Sequence, residues 1–305
     1  MASQEVHRIN TISEFHQFHG LSKPEHPLIS VLDYATLHGN MTGDTTTLLF
    51  SYYTVSLKRG VSKMFYGQQE YDFDEGVLHF MAPNQILRTN NNPGDHQKRS
   101  GRLLLIHPDF LWNTPLAKRI KQYEFFDYSV NEALFLSEKE EEILNNIAQN
   151  IKHEYHTNID KFSQDIIISQ IETLLNYSER FYQRQFITRK ITNHQILNRL
   201  EDVLNHYFNN EDLVQNGLPS VQFISEQLNV SPSYLSSLLK VLTGQSTQQH
   251  IHDKLIEKAK EKLSTTTLTV GEIAYELGFE HPQSFSKLFK AKTNVSPLEF
   301  RQSFN

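Results

Sequence analysis

The stretch that decides the fold is a repeat near the C-terminus. Residues 220–251 are SVQFISEQLNVSPSYLSSLLKVLTGQSTQQHI, and residues 269–301 are TVGEIAYELGFEHPQSFSKLFKAKTNVSPLEFR. The copies align when Glu280 is treated as one inserted residue, and a repeat of this length is typical of one supersecondary unit used twice. The identical pairs are Val221/Val270, Ile224/Ile273, Leu228/Leu277, Pro232/Pro282, Ser236/Ser286, Leu238/Leu288, Lys240/Lys290, Thr243/Thr293 and Ser246/Ser296.

Each copy has the pattern of a helix, a tight turn and a second helix. In the first copy, a turn at Asn229-Val230 is followed by Ser231-Pro232, an N-cap with proline at the first helical position. In the second copy, Gly278 supplies the left-handed backbone that such a turn needs. We therefore predict two helix-turn-helix units, at about 220–242 and 269–292.

The second helix of each unit has an apolar face and a polar face. The predicted apolar face carries Leu235, Leu238, Leu239 and Leu242 in the first copy, and Phe285, Leu288 and Phe289 in the second. Small hydroxyls and an amide beside lysines suit a helix in the major groove, where such groups reach base edges and phosphates. The candidate DNA-contacting residues are Ser231, Ser233, Tyr234, Ser236, Ser237, Lys240, His281, Gln283, Ser284, Ser286, Lys287 and Lys290.

Between the two units, an apolar stripe from Ile251 to Leu263 predicts a long helix over about 247–263. Some 17 residues of helix span about 25 Å at about 1.5 Å per residue. Such a helix could hold two recognition helices about one DNA turn, ~34 Å, apart, so that both enter successive major grooves on one side of the duplex.

The chain is mildly acidic overall, but its C-terminal end is locally basic. Its 305 residues are enough for two domains, and 29 Lys+Arg against 35 Asp+Glu give a net charge of −6. From Ser284 onward, Lys287, Lys290, Lys292 and Arg301 face only Glu299. There is no cysteine, which excludes disulfide scaffolds and thiolate metal sites. Without a long apolar run or a signal-peptide pattern, we expect a cytoplasmic protein with no membrane partner.

Several segments of the C-terminal part match a known pattern. They are Thr243-Gly244-Gln245-Ser246, the apolar helix, and residues 272–279, 284–290 and 296–301. Together they resemble the DNA-binding domain of AraC/XylS transcriptional regulators, although Asn294 stands where that family usually has glycine. The resemblance implies two helix-turn-helix subdomains that act on double-stranded promoter DNA, with RNA polymerase as a partner if the protein is an activator.

The N-terminal part has the pattern of short strands from about 28 to 112. β-Branched and aromatic residues over 45–55, a hairpin signal at Asp74-Glu75-Gly76 and a buried run over 102–106 predict a small barrel or sandwich. This pattern resembles the cupin-like sensing barrel of many AraC/XylS members, and a barrel of this size holds one small molecule. The candidate residues lining an effector pocket are Tyr52, Phe65, Tyr66, His79 and Phe80.

From Ser137 the apolar period changes from two to 3.6. A capping box at 137–140 begins one helix, and a second is predicted over about 161–185. These helices can cap the barrel or pair with a second subunit, and we predict a homodimer. A short polar linker is predicted at 186–193.

The predicted protein is of the α+β class, with two domains. Residues 1–188 form a cupin-like effector-binding and dimerisation domain, a β-barrel with flanking helices at 137–185. Residues 193–305 form an all-α double helix-turn-helix domain. We predict a sequence-specific transcriptional regulator with no catalytic residues, no metal and no cofactor.

Two alternatives remain open. One is a cupin-type enzyme fused to a DNA-binding module. A metal site needs three or four converging ligands, whereas the strand region offers His79 and His107 singly. The other alternative is an adaptor whose helical pairs bind proteins instead of DNA. Metal analysis tests the first, and salt-dependent binding to promoter DNA tests the second.

Overall fold

The N-terminal part of the chain forms strands followed by helices, and the C-terminal part is helical throughout. The computed structural model describes residues 6–37, 45–59, 76–90, 100–129, 132–157, 160–209, 213 and 216–303. The chain divides into two units, Met1–Gln185 and Phe186–Asn305. The structure is therefore of the mixed α+β kind, with its sheets in the first unit.

The described strands of the first unit form two sheets. The smaller sheet has the order β1-β3-β6, with β1 (Val6–Ile9) parallel to β3 (Thr45–Phe50) and β6 (Ile86–Asn90) antiparallel to it. The larger sheet is antiparallel, with the order β2-β7-β4-β5-β8. Its strands are β2 (Ile29–Asp33), β4 (Tyr53–Arg59), β5 (Gly76–Met81), β7 (Ser100–Ile106) and β8 (Leu134–Leu136).

The two sheets share an apolar core. Leu48 and Phe50 of β3 and Leu103 and Leu105 of β7 pack there with Phe15, which lies on helix α1 (Ile12–Phe18). Because successive side chains of a strand point to opposite faces, each strand of the larger sheet also presents residues away from this core. Each fully buried leucine or phenylalanine contributes about 1.5–3 kcal/mol to folding.

The far face of the larger sheet is covered by aromatic rings and helices. Phe80 of β5 packs against Phe125, with ring centroids 4.3 Å apart, and Tyr182 stacks on Phe125 at 5.7 Å. Phe125 lies in a short 3₁₀ segment, and Tyr182 lies on one of the long helices. The helices of this unit after α1 are α2 (Leu116–Arg119), α3 (Glu138–His156) and α4 (Ser163–Thr188).

The strand predictions are partly reproduced. The predicted strand over 45–55 is two strands, because the chain turns at Ser51-Tyr52 and passes from one sheet to the other. The hairpin signal at 74–76 falls largely outside the described residues. The described strands form two sheets that are not joined into a closed barrel, so the predicted cupin-like barrel is not confirmed.

The predicted polar linker at 186–193 is instead helical apart from Arg189. Helix α4 continues to Thr188, and α5 (Lys190–Asn209) begins at once. Phe186 and Asn193 are both buried, and the Asn193 amide donates a hydrogen bond to the Phe186 carbonyl. A polar side chain that satisfies a buried carbonyl looks in the sequence like a residue of an exposed linker, which explains the wrong prediction.

The second unit contains α5 and six further helices in its described residues. Their order and the spacing between them repeat, as the duplicated sequence predicts. They are α6 (Val221–Leu228), α7 (Pro232–Thr243), α8 (Thr247–Thr265), α9 (Val270–Glu276), α10 (Pro282–Thr293) and α11 (Pro297–Gln302). Among the described residues, no helix combines the length and the apolar character needed to cross a membrane.

Candidate functional site

The first helix-turn-helix unit consists of α6, a short turn and α7. Asn229 ends α6 in the left-handed conformation, with φ of 57°. The Ser231 hydroxyl then caps α7 by accepting a hydrogen bond from the Tyr234 amide at 3.2 Å. Leu235, Leu238 and Leu239 are fully buried and Leu242 is half-buried, so most of the predicted apolar face of α7 is packed.

The opposite face of α7 is less open than the sequence predicts. Lys240 is exposed, whereas Ser233, Ser236 and Ser237 are half-buried. The Ser236 hydroxyl lies 3.2 Å from the Thr247 hydroxyl at the start of α8. The small hydroxyls of α7 are therefore partly engaged in packing within the unit.

Tyr234 occupies a place that differs from the predicted one. Only 8% of the residue is exposed, and its ring packs edge-on against Phe186 with centroids 5.2 Å apart. This burial places the ring in the packing of the C-terminal unit and leaves little of the side chain open for the predicted DNA contact.

The second helix-turn-helix unit consists of α9, a turn at Gly278 and α10. A capping box between Thr269 and Glu272 begins α9. Gly278 has φ of 80°, and a Cβ atom there would lie 2.6 Å from the Leu213 carbonyl oxygen. Glycine is therefore required at this turn both for its backbone conformation and for close approach.

The polar face of α10 is open. His281 at the N-cap makes no side-chain cap bond and is exposed, and Ser286 is half-buried. The remaining candidate residues of this helix are all exposed: Gln283, Ser284, Lys287 and Lys290. Two of them are lysines one helical turn apart, so α10 presents positive charge beside polar groups on one face.

The basic cluster predicted after Ser284 separates into two kinds of residue. Lys292 donates to Asp253 at 2.8 Å, and Arg301 donates to the Leu263 carbonyl at 3.3 Å, so both are used inside the unit. Within the described part of the chain, Lys287 and Lys290 form no salt bridge. The sequence identified the cluster but gave no signal that Asp253 would neutralise Lys292.

The repeated units match a known family model. A model described as a helix-turn-helix domain matches residues 224–303, which run from within α6 to the end of α11. The C-terminal unit is an AraC-type helix-turn-helix domain. The left-handed Asn294, with φ of 64°, ends α10 as the left-handed Gly244 ends α7, so asparagine fills the position where this family usually has glycine.

Two curated relatives are named as HTH-type transcriptional regulators. An uncharacterized HTH-type transcriptional regulator from Pseudoalteromonas carrageenovora is 31% identical over 116 residues, which cover 38% of this chain and 64% of that protein. The uncharacterized HTH-type transcriptional regulator YfiF of Bacillus subtilis is 30% identical over 146 residues, or 48% of this chain and 43% of that protein. The matched part thus spans less than two thirds of either relative.

Solved structures similar to this chain include two C-terminal domains of response regulators. The domain of AraT from Geobacillus stearothermophilus is 32% identical, covers 35% of this chain and 84% of that one, and has a TM-score of 0.31. The domain of yesN from Fusobacterium nucleatum is 29% identical, covers 33% and 93%, and has a TM-score of 0.30.

The described candidate effector residues of the N-terminal unit do not all lie on one side of the larger sheet. Tyr52 lies in the core between the sheets. His79 points to the same side of β5 as Met81, which belongs to that core, whereas Phe80 packs on the opposite face against Phe125. Phe80 is therefore not beside Tyr52, because adjacent strand residues face opposite ways. Phe65 and Tyr66 lie outside the described residues.

Titration of these residues is dominated by burial. Burial, with a smaller contribution from the Lys58 ammonium, lowers the pKa of His79 to about 3. Burial raises the pKa of Tyr52 above its usual value, and Glu14 adds to this shift. Both side chains are accordingly neutral near pH 7. In the described residues, no group of three or more His, Asp or Glu side chains is placed to hold a metal ion.

Proposed function

We propose that this protein is a sequence-specific transcriptional regulator that binds promoter DNA through α7 and α10. The observation that carries the proposal is the pair of helix-turn-helix units within the AraC-type domain, with exposed Gln283, Lys287 and Lys290 on the second recognition helix. Two relatives named as HTH-type transcriptional regulators support a role in transcriptional control.

The two recognition helices are expected to contribute differently. Lys287 and Lys290 on α10 are exposed, and we expect them to contact phosphate or guanine. Gln283 and Ser284 near its N-terminus are exposed too, and we expect them to contact bases or the DNA backbone. On α7, Lys240 is the exposed cation and the serines are half-buried. The second helix-turn-helix unit therefore supplies most of the salt-dependent affinity for DNA.

The first test is binding by the full chain and by fragment 186–305. The fragment begins at Phe186 because that ring packs against Tyr234 and its carbonyl accepts from Asn193. Both proteins are expected to bind a duplex selected from random-sequence DNA, with an affinity that falls as salt rises. A folded fragment and a full chain that both bind random DNA as well as any selected sequence would contradict the proposal and favour the adaptor.

We further propose that the N-terminal unit, Met1–Gln185, responds to a small molecule. This molecule would lie between the two sheets and accept hydrogen bonds there. Tyr52 and Thr54 are buried, and neither hydroxyl has a hydrogen-bond partner in the described part of the chain. Thr54 pairs in register with Met81 and Leu105, both members of the core that contains Tyr52. Buried hydroxyls without partners are costly, and a ligand acceptor would satisfy them.

A matched substitution tests this effector site. Tyr52→Phe removes one unpartnered hydroxyl while keeping the ring. In metabolite screens by thermal shift, the wild-type chain is expected to be stabilised by its effector and the variant to lose most of that response. If the variant keeps the full response, the ligand lies elsewhere.

We also propose that the protein acts as a homodimer in which the N-terminal units of two chains contact each other. Part of the predicted apolar stripes does not serve this purpose, because Ile147, Ile151 and Leu174 are buried inside the N-terminal unit. Exposed apolar side chains remain at the start of α4 and nearby: Trp112 is 78% exposed, Phe162 57% and Ile166 43%. Gln164 donates to the Phe110 carbonyl at 2.8 Å, which holds the segment before Trp112 beside the same turn.

A further inference from the structure

One carboxylate on α8, the helix between the two helix-turn-helix units, bonds to residues at the ends of both recognition helices. Asp253, in the second turn of α8, uses both oxygens. Lys292 Nζ lies 2.8 Å from Oδ1, and Gln245 Nε2 lies 2.8 Å from Oδ2. Gln245 follows Gly244, the C-cap of α7, and Lys292 lies in the last turn of α10. A single side chain therefore bridges the C-terminal ends of the two recognition helices, α7 and α10.

The end of α7 is also fixed to α8 by two other contacts. Thr243 Oγ1 lies 2.9 Å from His250 Nε2, and Ser236 Oγ lies 3.2 Å from Thr247 Oγ1. With the Gln245–Asp253 bond, these contacts join α7 to the first two turns of α8. Lys292 joins α10 to the same two turns, while Lys262–Glu276 and the Arg301 bond to the Leu263 carbonyl join the second helix-turn-helix unit to the other end of α8. The Asp253 carboxylate is thus the contact near which both recognition helices end.

We propose that Asp253 is a positioning residue that sets the separation of α7 and α10, so that the protein prefers one spacing between two contacted DNA segments. The inference rests on the proposed function, since it requires both helices to read DNA. Asp253 acts through Gln245 and Lys292, which hold α7 and α10 against α8. An exposed ion pair is weak in itself, but a small preference between two helix orientations is enough to change spacing selectivity.

A competing role for the same contact is charge neutralisation. Without Asp253, Lys292 would be a free cation at the end of α10. If neutralisation were its whole role, Asp253→Asn would raise affinity equally at every spacing, and the salt slope of binding would increase by about one. Positioning instead changes the ratio between spacings.

The experiment uses the full chain and duplex DNA. Wild-type protein selects a bipartite sequence from a random duplex library, and derivatives of that sequence gain or lose one base pair between the contacted segments. For each protein, the affinity for the selected spacing is divided by the affinity for the altered spacing, so that general losses of affinity cancel. We expect Asp253→Asn to lower this ratio by about two- to fivefold, the range that exposed ion pairs produce.

Two further variants complete the test. Glu257→Gln is the matched control, because Glu257 is an exposed carboxylate on α8 that pairs only locally with Lys254, at 2.8 Å. Its ratio is expected to equal that of the wild type. The double variant Asp253→Lys/Lys292→Asp reverses the ion pair, and the Gln245 amide can accept from the new partner through its oxygen. The double variant is expected to recover most of the wild-type ratio.

The outcomes separate this inference from the proposed function. If the wild-type chain selects no sequence, the proposed function fails. If the wild-type chain selects a bipartite site and Asp253→Asn keeps the same spacing ratio, only the positioning role fails. Equal melting temperatures of wild type, Asp253→Asn and Glu257→Gln show that a changed ratio is not due to unfolding.

Discussion

At the scale of single residues, exposure decides which of the chemically similar side chains can reach DNA. Lys287, Lys290 and Lys292 lie within two turns of α10, yet Lys292 is paired with Asp253. Ser236 is likewise turned toward Thr247, while Ser284 is exposed. Residue type alone does not separate these cases, because the partner comes from a distant position.

The first prediction concerns the charge of α10. Lys287→Ala is expected to weaken DNA binding by the full chain and to lower the salt slope of log affinity by about one, because one phosphate contact is lost. Ser237→Ala is the control on α7 and is expected to change affinity little, since Ser237 is half-buried. Binding titrations over a series of salt concentrations measure both effects. If Ser237→Ala lowers affinity more than Lys287→Ala does, α7 and not α10 supplies most of the affinity for DNA.

The second prediction concerns His79 and pH. Its folded-state pKa of about 3 lies below the ordinary value of 6.5, so the unfolded chain binds more protons between these limits. Stability is therefore expected to fall as the pH drops below about 6.5, by up to about 1.4 kcal/mol per pH unit for this one proton. His79→Gln removes this contribution. Denaturant unfolding at pH 7 and pH 5 should show a smaller loss for the variant than for the wild type.

At the scale of elements, the left-handed residues that end helices fix the geometry of the domain. Gly244 and Asn294 end α7 and α10, and Asn229 ends α6. The turn before α10 differs from the turn before α7, because Gly278 also approaches Gly217 closely. This contact holds the turn of the second unit against the segment that follows α5.

The third prediction compares two glycines with similar backbones. Gly278→Ala is expected to destabilise the protein by more than about 2 kcal/mol, because its Cβ would meet the Leu213 carbonyl oxygen at 2.6 Å in addition to the left-handed strain. Gly244, with φ of 75°, has no atom within 4 Å of the added Cβ, so Gly244→Ala should cost about 1–2 kcal/mol. Denaturant unfolding measures the difference. Equal costs would show that close approach contributes nothing at Gly278.

At the scale of the whole molecule, the N-terminal and C-terminal units differ in net charge. Residues 189–305 contain 12 Lys+Arg and 12 Asp+Glu, so the negative net charge belongs to the residues before them. The C-terminal unit is therefore neutral overall, and its affinity for DNA has to come from the placement of a few lysines. Two copies of such a reader on one promoter would bind far better than one.

The fourth prediction tests the proposed dimer. Ile166→Asp places a carboxylate on the exposed apolar surface at the start of α4 and is expected to convert a dimer into a monomer. Affinity for a two-site promoter should then fall by about 10²-fold, while affinity for a single site is unchanged. Asn146→Asp, at an exposed position of α3, is the control and is expected to leave the dimer intact. Sedimentation measures the oligomeric state, and a wild-type chain that stays monomeric at every concentration would contradict the prediction.

The sequence by itself determined the C-terminal unit. Its caps, turn residues and 3.6-residue period are local signals, and the repeat showed each of them twice, so the boundaries of α7 and α10 and their buried faces follow from neighbouring residues. The tertiary structure alone decided which polar groups stay open. Tyr234 is covered by Phe186, Lys292 is neutralised by Asp253, and Asn193, in the predicted linker, is buried and bonded to the Phe186 carbonyl. The arrangement of the strands into two sheets likewise depends on pairings between distant segments, which leave no local pattern in the chain.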